Sequence, residues 1–133
     1  MKKFEHFLLA ALLIAASSMC LAQTSGVQRT EVMRADVSVP GRQAVISRVV
    51  IAPAGKLAWH THPGDEISYV ESGVLTLLVA GKPPQTVGVG AGFVVPAGTV
   101  HSVKNDGAVP VQLITVHVVD KDKPLASPAA APN

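Results

Sequence analysis

From residue 24 onward the chain alternates between short apolar runs, rich in Val, Ile, Leu and Thr, and small clusters of Gly, Pro, Asn or Asp. Such runs predict strands and such clusters predict turns. Nine strands are expected: 28–37, 43–52, 57–62, 67–71, 74–80, 85–89, 92–95, 102–104 and 111–119. The breaks between them fall at Pro40-Gly41, Pro53-Ala54-Gly55, Pro63-Gly64-Asp65, Ser72-Gly73, Gly81 to Pro84, Gly90, Pro96-Ala97-Gly98 and Asn105-Asp106-Gly107. No stretch carries a sustained helical period. The reading is all-β, a sandwich or a small closed barrel. Val74-Leu75-Thr76-Leu77-Leu78-Val79 is apolar at nearly every position, where a strand with one wet face would alternate. Both faces of such a strand need cover, so a second sheet or a second subunit is expected, and a homodimer is favoured.

The two ends read differently. Lys2 and Lys3 precede an apolar run, Phe7 to Ala16, too short to cross a bilayer as a helix. Small residues follow at Cys20 and Ala22, the pattern of a secretory signal peptide cut ahead of Gln23. A lipidated Cys20 fits less well, because Ser17-Ser18-Met19 lacks the Leu and the small final residue of such a site. Residues 1–22 are therefore read as a leader and the protein as periplasmic or secreted. Residues 23–42 form an N-terminal arm or strand, and 43–119 the barrel. Residues 120–133, rich in Pro and Ala, are expected to be disordered.

Losing the leader lowers the formal charge from +2 to +1, because Lys2, Lys3 and Glu5 leave with it. Nothing in so small a charge points to nucleic acid or to an anionic membrane surface. The only cysteine also leaves, so the mature chain has no disulfide to lean on.

Four histidines remain: His60, His62, His101 and His117. His60 and His62 alternate within an extended run, so their side chains share a face about 6.6 Å apart along the strand. The turn at Pro63-Gly64-Asp65 follows, and Glu66 opens the next strand, which lets its carboxylate return to the same spot. His101 is too distant in sequence for local geometry; only a closed barrel brings it alongside. Asp65 is read as a turn carboxylate. His117 is read as a structural histidine, hydrogen-bonded near the barrel rim. Trp59 and Tyr69 should point away from the site by alternation.

The segment His60-Thr61-His62-Pro63-Gly64-Asp65-Glu66, with Gly73 seven positions on, resembles the first cupin motif, HxHx(3–4)Ex(6)G. Gly90, Pro96-Ala97-Gly98, His101 and Asn105 resemble the second, Gx(5)PxGx(2)Hx(3)N. Gly55 departs from the pattern by one position, standing five residues before His60 rather than six. The resemblance runs over about residues 43–119 and implies a jelly-roll-like β-barrel. It also implies one divalent transition metal (Fe, Mn, Ni, Cu, Co or Zn) held by His60, His62, Glu66 and His101, with Gly73, Gly98 and Asn105 at turns. Four ligands on a six-coordinate ion leave two positions for reactants.

A small metal-dependent, dioxygenase-like oxidoreductase acting on a compact organic molecule is the leading expectation, with Glu66 as ligand or, by swinging away, as proton acceptor. A non-catalytic module that binds or senses a metal or small ligand is the alternative, with a metal-assisted isomerase or lyase third. The lining, drawn from residues such as Ala58, Val70 and Val95, reads as small and apolar. No Arg or Lys stands out as an anchor for a phosphate or carboxylate.

Overall fold

Ten strands and no helix make up residues 24–133, the part of the chain that the computed structural model describes. The leader over 1–22, with Cys20 and the cut after Ala22, lies outside the described residues. The strands are β1 (Ser25–Asp36), β2 (Arg42–Lys56), β3 (His60–Thr61), β4 (Gly64–Ser72), β5 (Leu75–Val79), β6 (Gln85–Val87), β7 (Gly92–Val95), β8 (His101–Lys104), β9 (Val111–Asp120) and β10 (Ser127–Pro128). Every pairing is antiparallel, and the order β10-β3-β8-β2-β9-β4-β7 nearly closes into a barrel. Strand β1 lies along β2, while β5 bridges β6 and β8. The fold is the expected all-β jelly-roll-like barrel.

Strand β2 runs longer than its sequence suggests, because Pro53-Ala54-Gly55 bends it without ending it. Its first ten residues pair with β9, and Lys56 then pairs with Lys104 of β8. Ala54 takes a positive φ of 60° at this corner, a conformation unusual for a residue with a Cβ. Asn105 holds the corner from the other side. Its backbone exchanges hydrogen bonds with Ala54 and Gly55. Its buried amide donates to the carbonyls of Ile51 (3.0 Å) and Val109 (2.8 Å) and accepts from the Gly107 N–H (2.9 Å). This is the turn role expected for Asn105. Gly73 fills its own in the left-handed region at φ 77°, where a Cβ would press on the Pro110 carbonyl.

Alternation along β2, β4 and β9 divides the interior into layers. At one end Val49, Ile51, Val70, Leu75, Val111 and Leu113 form a dry apolar plug with neighbours from β5, β7 and β8. Above them Ser47, Thr115 and Ser68 stand in register across the three strands, all buried. One step further, Glu66 faces His117 across the β4–β9 ladder. Polar character is therefore confined to one end of an otherwise apolar barrel. On the outer face Ile67, Tyr69 and Val94 are exposed, at 48, 52 and 61%.

The tail departs from expectation. Residues 120–133 were expected to be disordered, but Asp120 closes β9, and Ser127 and Pro128 pair with Thr61 and His60. The Ala129 N–H donates to the Trp59 carbonyl at 2.9 Å. A Pro/Ala-rich segment buries little apolar area, so composition gives no hint of order. Its partner is instead the open backbone edge of β3, which a sequence does not display.

Candidate metal centre

Strand β3 is only two residues long, and just before it the chain is tied to β8: the Leu57 N–H donates to the Val103 carbonyl and the Ser102 hydroxyl to the Leu57 carbonyl (2.7 Å). That places His60 directly opposite His101 on β8. His62 leaves the strand, and its carbonyl accepts from the Gly98 N–H at 2.9 Å, which pins the Pro96-Ala97-Gly98 loop under the site. Glu66 arrives from β4, whose start is set by Gly64. A Cβ there would overlap the Val118 carbonyl oxygen, so only glycine lets β4 approach β9 so closely.

The four expected ligands are brought together. One nitrogen or oxygen from each of His60, His62, Glu66 and His101 lies within 4.8 Å of all the others, and all four residues are buried. Two ligand atoms on opposite sides of an ion at bonds near 2.1 Å stand about 4.2 Å apart. Closing from 4.8 Å takes only a few tenths of an ångström per side chain. The ring centroids of His60 and His101 are 4.2 Å apart, and those of His62 and His101 5.1 Å.

Each of these three imidazoles is held from behind by a backbone carbonyl. His60 Nδ1 lies 2.7 Å from Ala58 O, His62 Nδ1 2.6 Å from Leu125 O, and His101 Nδ1 2.9 Å from Thr99 O. A carbonyl brings no proton, so each Nδ1 must donate. In the neutral ring that leaves Nε2 as a bare lone pair turned inward. His62 Nε2 and His101 Nε2 both sit 3.1 Å from Glu66 Oε2. The His62 contact lacks the alignment of a hydrogen bond. Lone pairs facing a carboxylate oxygen at this distance repel unless a cation, a metal ion or a proton, stands between them. The donor set is therefore built for a positive charge.

The carboxylate itself is oriented. The Ser68 hydroxyl donates to Glu66 Oε1 at 2.7 Å, leaving Oε2 for the histidines. Burial alone would raise the Glu66 pKa, but the close ring nitrogens of His101, His117 and His62 and the Ser68 hydroxyl outweigh that and hold it well below the usual range. Burial lowers His60 to about 4, against the pull of the Ala58 carbonyl, so its ring is neutral at physiological pH.

His117 is closer to the chemistry than its sequence context suggests. It was expected to be hydrogen-bonded near the rim, but it is fully buried and neither ring nitrogen has a hydrogen-bond partner among the described residues. Its Nε2 is 3.5 Å from Glu66 Oε2, and its ring centroid 4.3 Å from that of His62. Burial lowers its pKa, with Glu66 opposing. Asp65 was read as a turn carboxylate, but β4 already begins at Gly64 and Asp65 is an exposed strand residue opposite Val118, its Oδ1 accepting the Ala97 N–H.

Two spaces meet at the cluster. A pocket of about 10 Å3, the room of a single small particle, is walled by His60, Glu66, His101, Thr115 and Arg29. Outside it lies a cavity of about 370 Å3 lined by Leu57, Trp59, His60, His62, Leu125 and Arg29 among others. Trp59, expected to point away, forms part of this outer wall, while Tyr69 does face outward. The expectation of a lining without Arg or Lys is also corrected. Arg29 comes from β1, where its pairing with Val49 puts it on the inward face, a register hidden in the sequence.

Among curated proteins none matches the sequence. Solved structures do match in fold. A conserved protein of Klebsiella pneumoniae with a double-stranded β-helix domain superposes with a TM-score of 0.66 at 18% identity, over 80% of this chain and 87% of its own. The polyketide cyclase RemF of Streptomyces resistomycificus does so at 0.65 and 16%, over 81% and 74%. An oxalate oxidase bound to the substrate analogue glycolate gives 0.62 at 25% identity, over 80% of this chain but only 56% of its own. The family model described as "Cupin domain" matches residues 47–117, which include all four clustered ligands and His117. With that match spanning more than half of its length, the chain belongs to the cupin family.

Proposed function

We propose that this chain is an exported metal-binding cupin acting as a small dioxygenase-like oxidoreductase on a compact organic substrate. One observation supports the reading above others: three inward Nε2 atoms and one oriented carboxylate converge at the foot of a cavity of about 370 Å3. A divalent transition ion held by His60, His62, Glu66 and His101 would supply Lewis acidity, a template for two reactants and, for Fe, Mn, Ni or Cu, redox capacity. The likeness to an oxalate oxidase supports oxidative chemistry in particular.

The chain's own residues then have distinct tasks. Ala58, Thr99 and Leu125 fix the three rings through their carbonyls. Ser68 holds Glu66 by Oε1, so Oε2 is the atom that would hold the ion or, released from it, accept a substrate proton. His117 stands beside that oxygen, with both ring nitrogens uncommitted, and backs the carboxylate from β9. Leu57, Trp59 and Leu125 keep bulk water from the reacting end of the substrate.

Elemental analysis of protein purified without a metal-affinity tag tests the first step, with about one metal per chain expected. Oxygen uptake with catechols, flavonols and β-diketones tests the second. Zinc held tightly without turnover favours the binding or isomerase reading, and a chain that stays metal-free after reconstitution overturns the proposal. Export rests on the leader pattern and predicts a periplasmic form beginning at Gln23 by mass spectrometry. A homodimer is proposed on the same footing, supported by the exposed Ile67, Tyr69 and Val94. Light scattering should give twice the chain mass, falling to one chain in Tyr69→Asp.

A further inference from the structure

We propose that Arg29 is the anchor for a carboxylate on the substrate, and that the substrates are therefore small organic acids with an apolar remainder. The inference rests on the metal-site reading and narrows it to a substrate class. Arg29 lines both the narrow pocket at the ligands and the outer cavity, so it stands where one opens into the other. Among the described residues it is the one arginine or lysine lining either space. Among the described residues the rest of the outer wall carries no Asp, Glu or Lys, and Leu57, Trp59, Leu125 and Pro128 give it an apolar character.

The guanidinium is largely uncommitted. Its recorded hydrogen bond is a long one, Nη1 to Ser47 Oγ at 3.4 Å, and among the described residues it forms no ion pair. A guanidinium has five N–H donors in a planar fork that matches a carboxylate, so nearly all of its donors remain to be spent. Burial of the guanidinium lowers its pKa, with Glu66 and Glu31 opposing, while the residue as a whole remains exposed along β1. With a divalent ion on Glu66, the formal charge at the junction of the two spaces is +2, from the ion, Glu66 and Arg29 together. An uncharged ligand gains nothing from that field, and an anion does. The cavity, about 370 Å3, is at the lower end for small-molecule sites.

The test pairs monocarboxylates from acetate to phenylacetate with their own primary amides, which keep shape and remove charge. Binding is measured by calorimetry at neutral pH on zinc-loaded and on chelator-treated mature chain, with metal content determined for each sample. Each acid is expected to bind about tenfold or more tighter than its amide, the advantage of a charge-assisted bidentate pair. Arg29→Gln should reduce that preference to within about twofold at unchanged metal content, and Arg29→Lys should retain part of it, since the charge stays and the fork is lost. Acids that bind no better than amides, or a preference that survives Arg29→Gln, overturn the assignment. So does the failure of every acid to bind below about 10 mM, weaker than a single good anchor provides. A preference seen in the chelator-treated chain that will not take up metal upholds Arg29 and removes the metal reading instead.

Discussion

Ending the chain after Lys123 is a direct probe of what the tail does for the site. The deletion spares Lys121, whose ammonium pairs with Asp36, and removes Leu125, β10 and Ala129. Three attachments go with them: the Leu125 carbonyl behind His62, the β10–β3 pairing, and the Ala129 to Trp59 hydrogen bond. The backbone bonds contribute about 1 kcal/mol each, but the released segment regains conformational entropy of similar size. Net loss of fold stability should therefore stay within about 1–2 kcal/mol. Metal affinity should suffer more. His62 would lose the acceptor that fixes its tautomer and ring angle at 2.6 Å, and such loss behind a metal-ligating histidine typically costs 10- to 100-fold in affinity, about 1.4–2.8 kcal/mol. Competition for Co(II) or Zn(II) against a chromophoric chelator measures the affinity, and thermal unfolding with and without EDTA measures the stability. If the shortened chain binds metal within about threefold of the full chain while His62→Ala does not, the tail carries no part of the site.

Asn105→Ala removes an amide bonded to Ile51, Val109 and Gly107 and leaves all three partners unpaired, so urea unfolding should show a loss of about 3 kcal/mol. Gly64→Ala forces a Cβ onto the Val118 carbonyl and should cost about 3 kcal/mol or more, read as loss of soluble, cooperatively unfolding protein. The metal-free chain should weaken as pH falls. Between the ordinary histidine value near 6.5 and about 4 the unfolded chain takes a proton at position 60 that the folded chain refuses, worth roughly 3 kcal/mol over that window. Glu66, whose pKa lies well below 4.5 when folded, adds a further loss below pH 4.5. Denaturant titrations in EDTA from pH 7.5 to 4.5 check this, and a flat profile between pH 7 and 5 would contradict it.

Much of the site is legible in the sequence. His60 and His62 share a face because strand side chains alternate, and Glu66 returns just after the break at Pro63; both are local facts. His101 could be placed only through the resemblance to cupin motifs, since its partner across the ladder, His60, is set by the closure of the barrel. Arg29 escaped notice because β1 pairs with β2 through two register irregularities, and no alternation rule says which side of such a strand faces inward. His117 looked like one polar residue in an apolar strand. What singles it out is its place opposite Glu66, a property of the β4–β9 register alone. The tail was misread for a related cause: its order comes from another segment's free edge.

The two ends of the described chain reach the same rim. The Thr24 hydroxyl accepts the Ala58 N–H at 2.9 Å, and Pro128 stands opposite His60. Whatever is fused to either end hangs beside the imidazoles. A polyhistidine handle there would offer a rival set of the same nitrogen donors within a few residues of the native one, and would strip ions or lend its own. Cargo is better attached at the far pole, beneath the apolar plug.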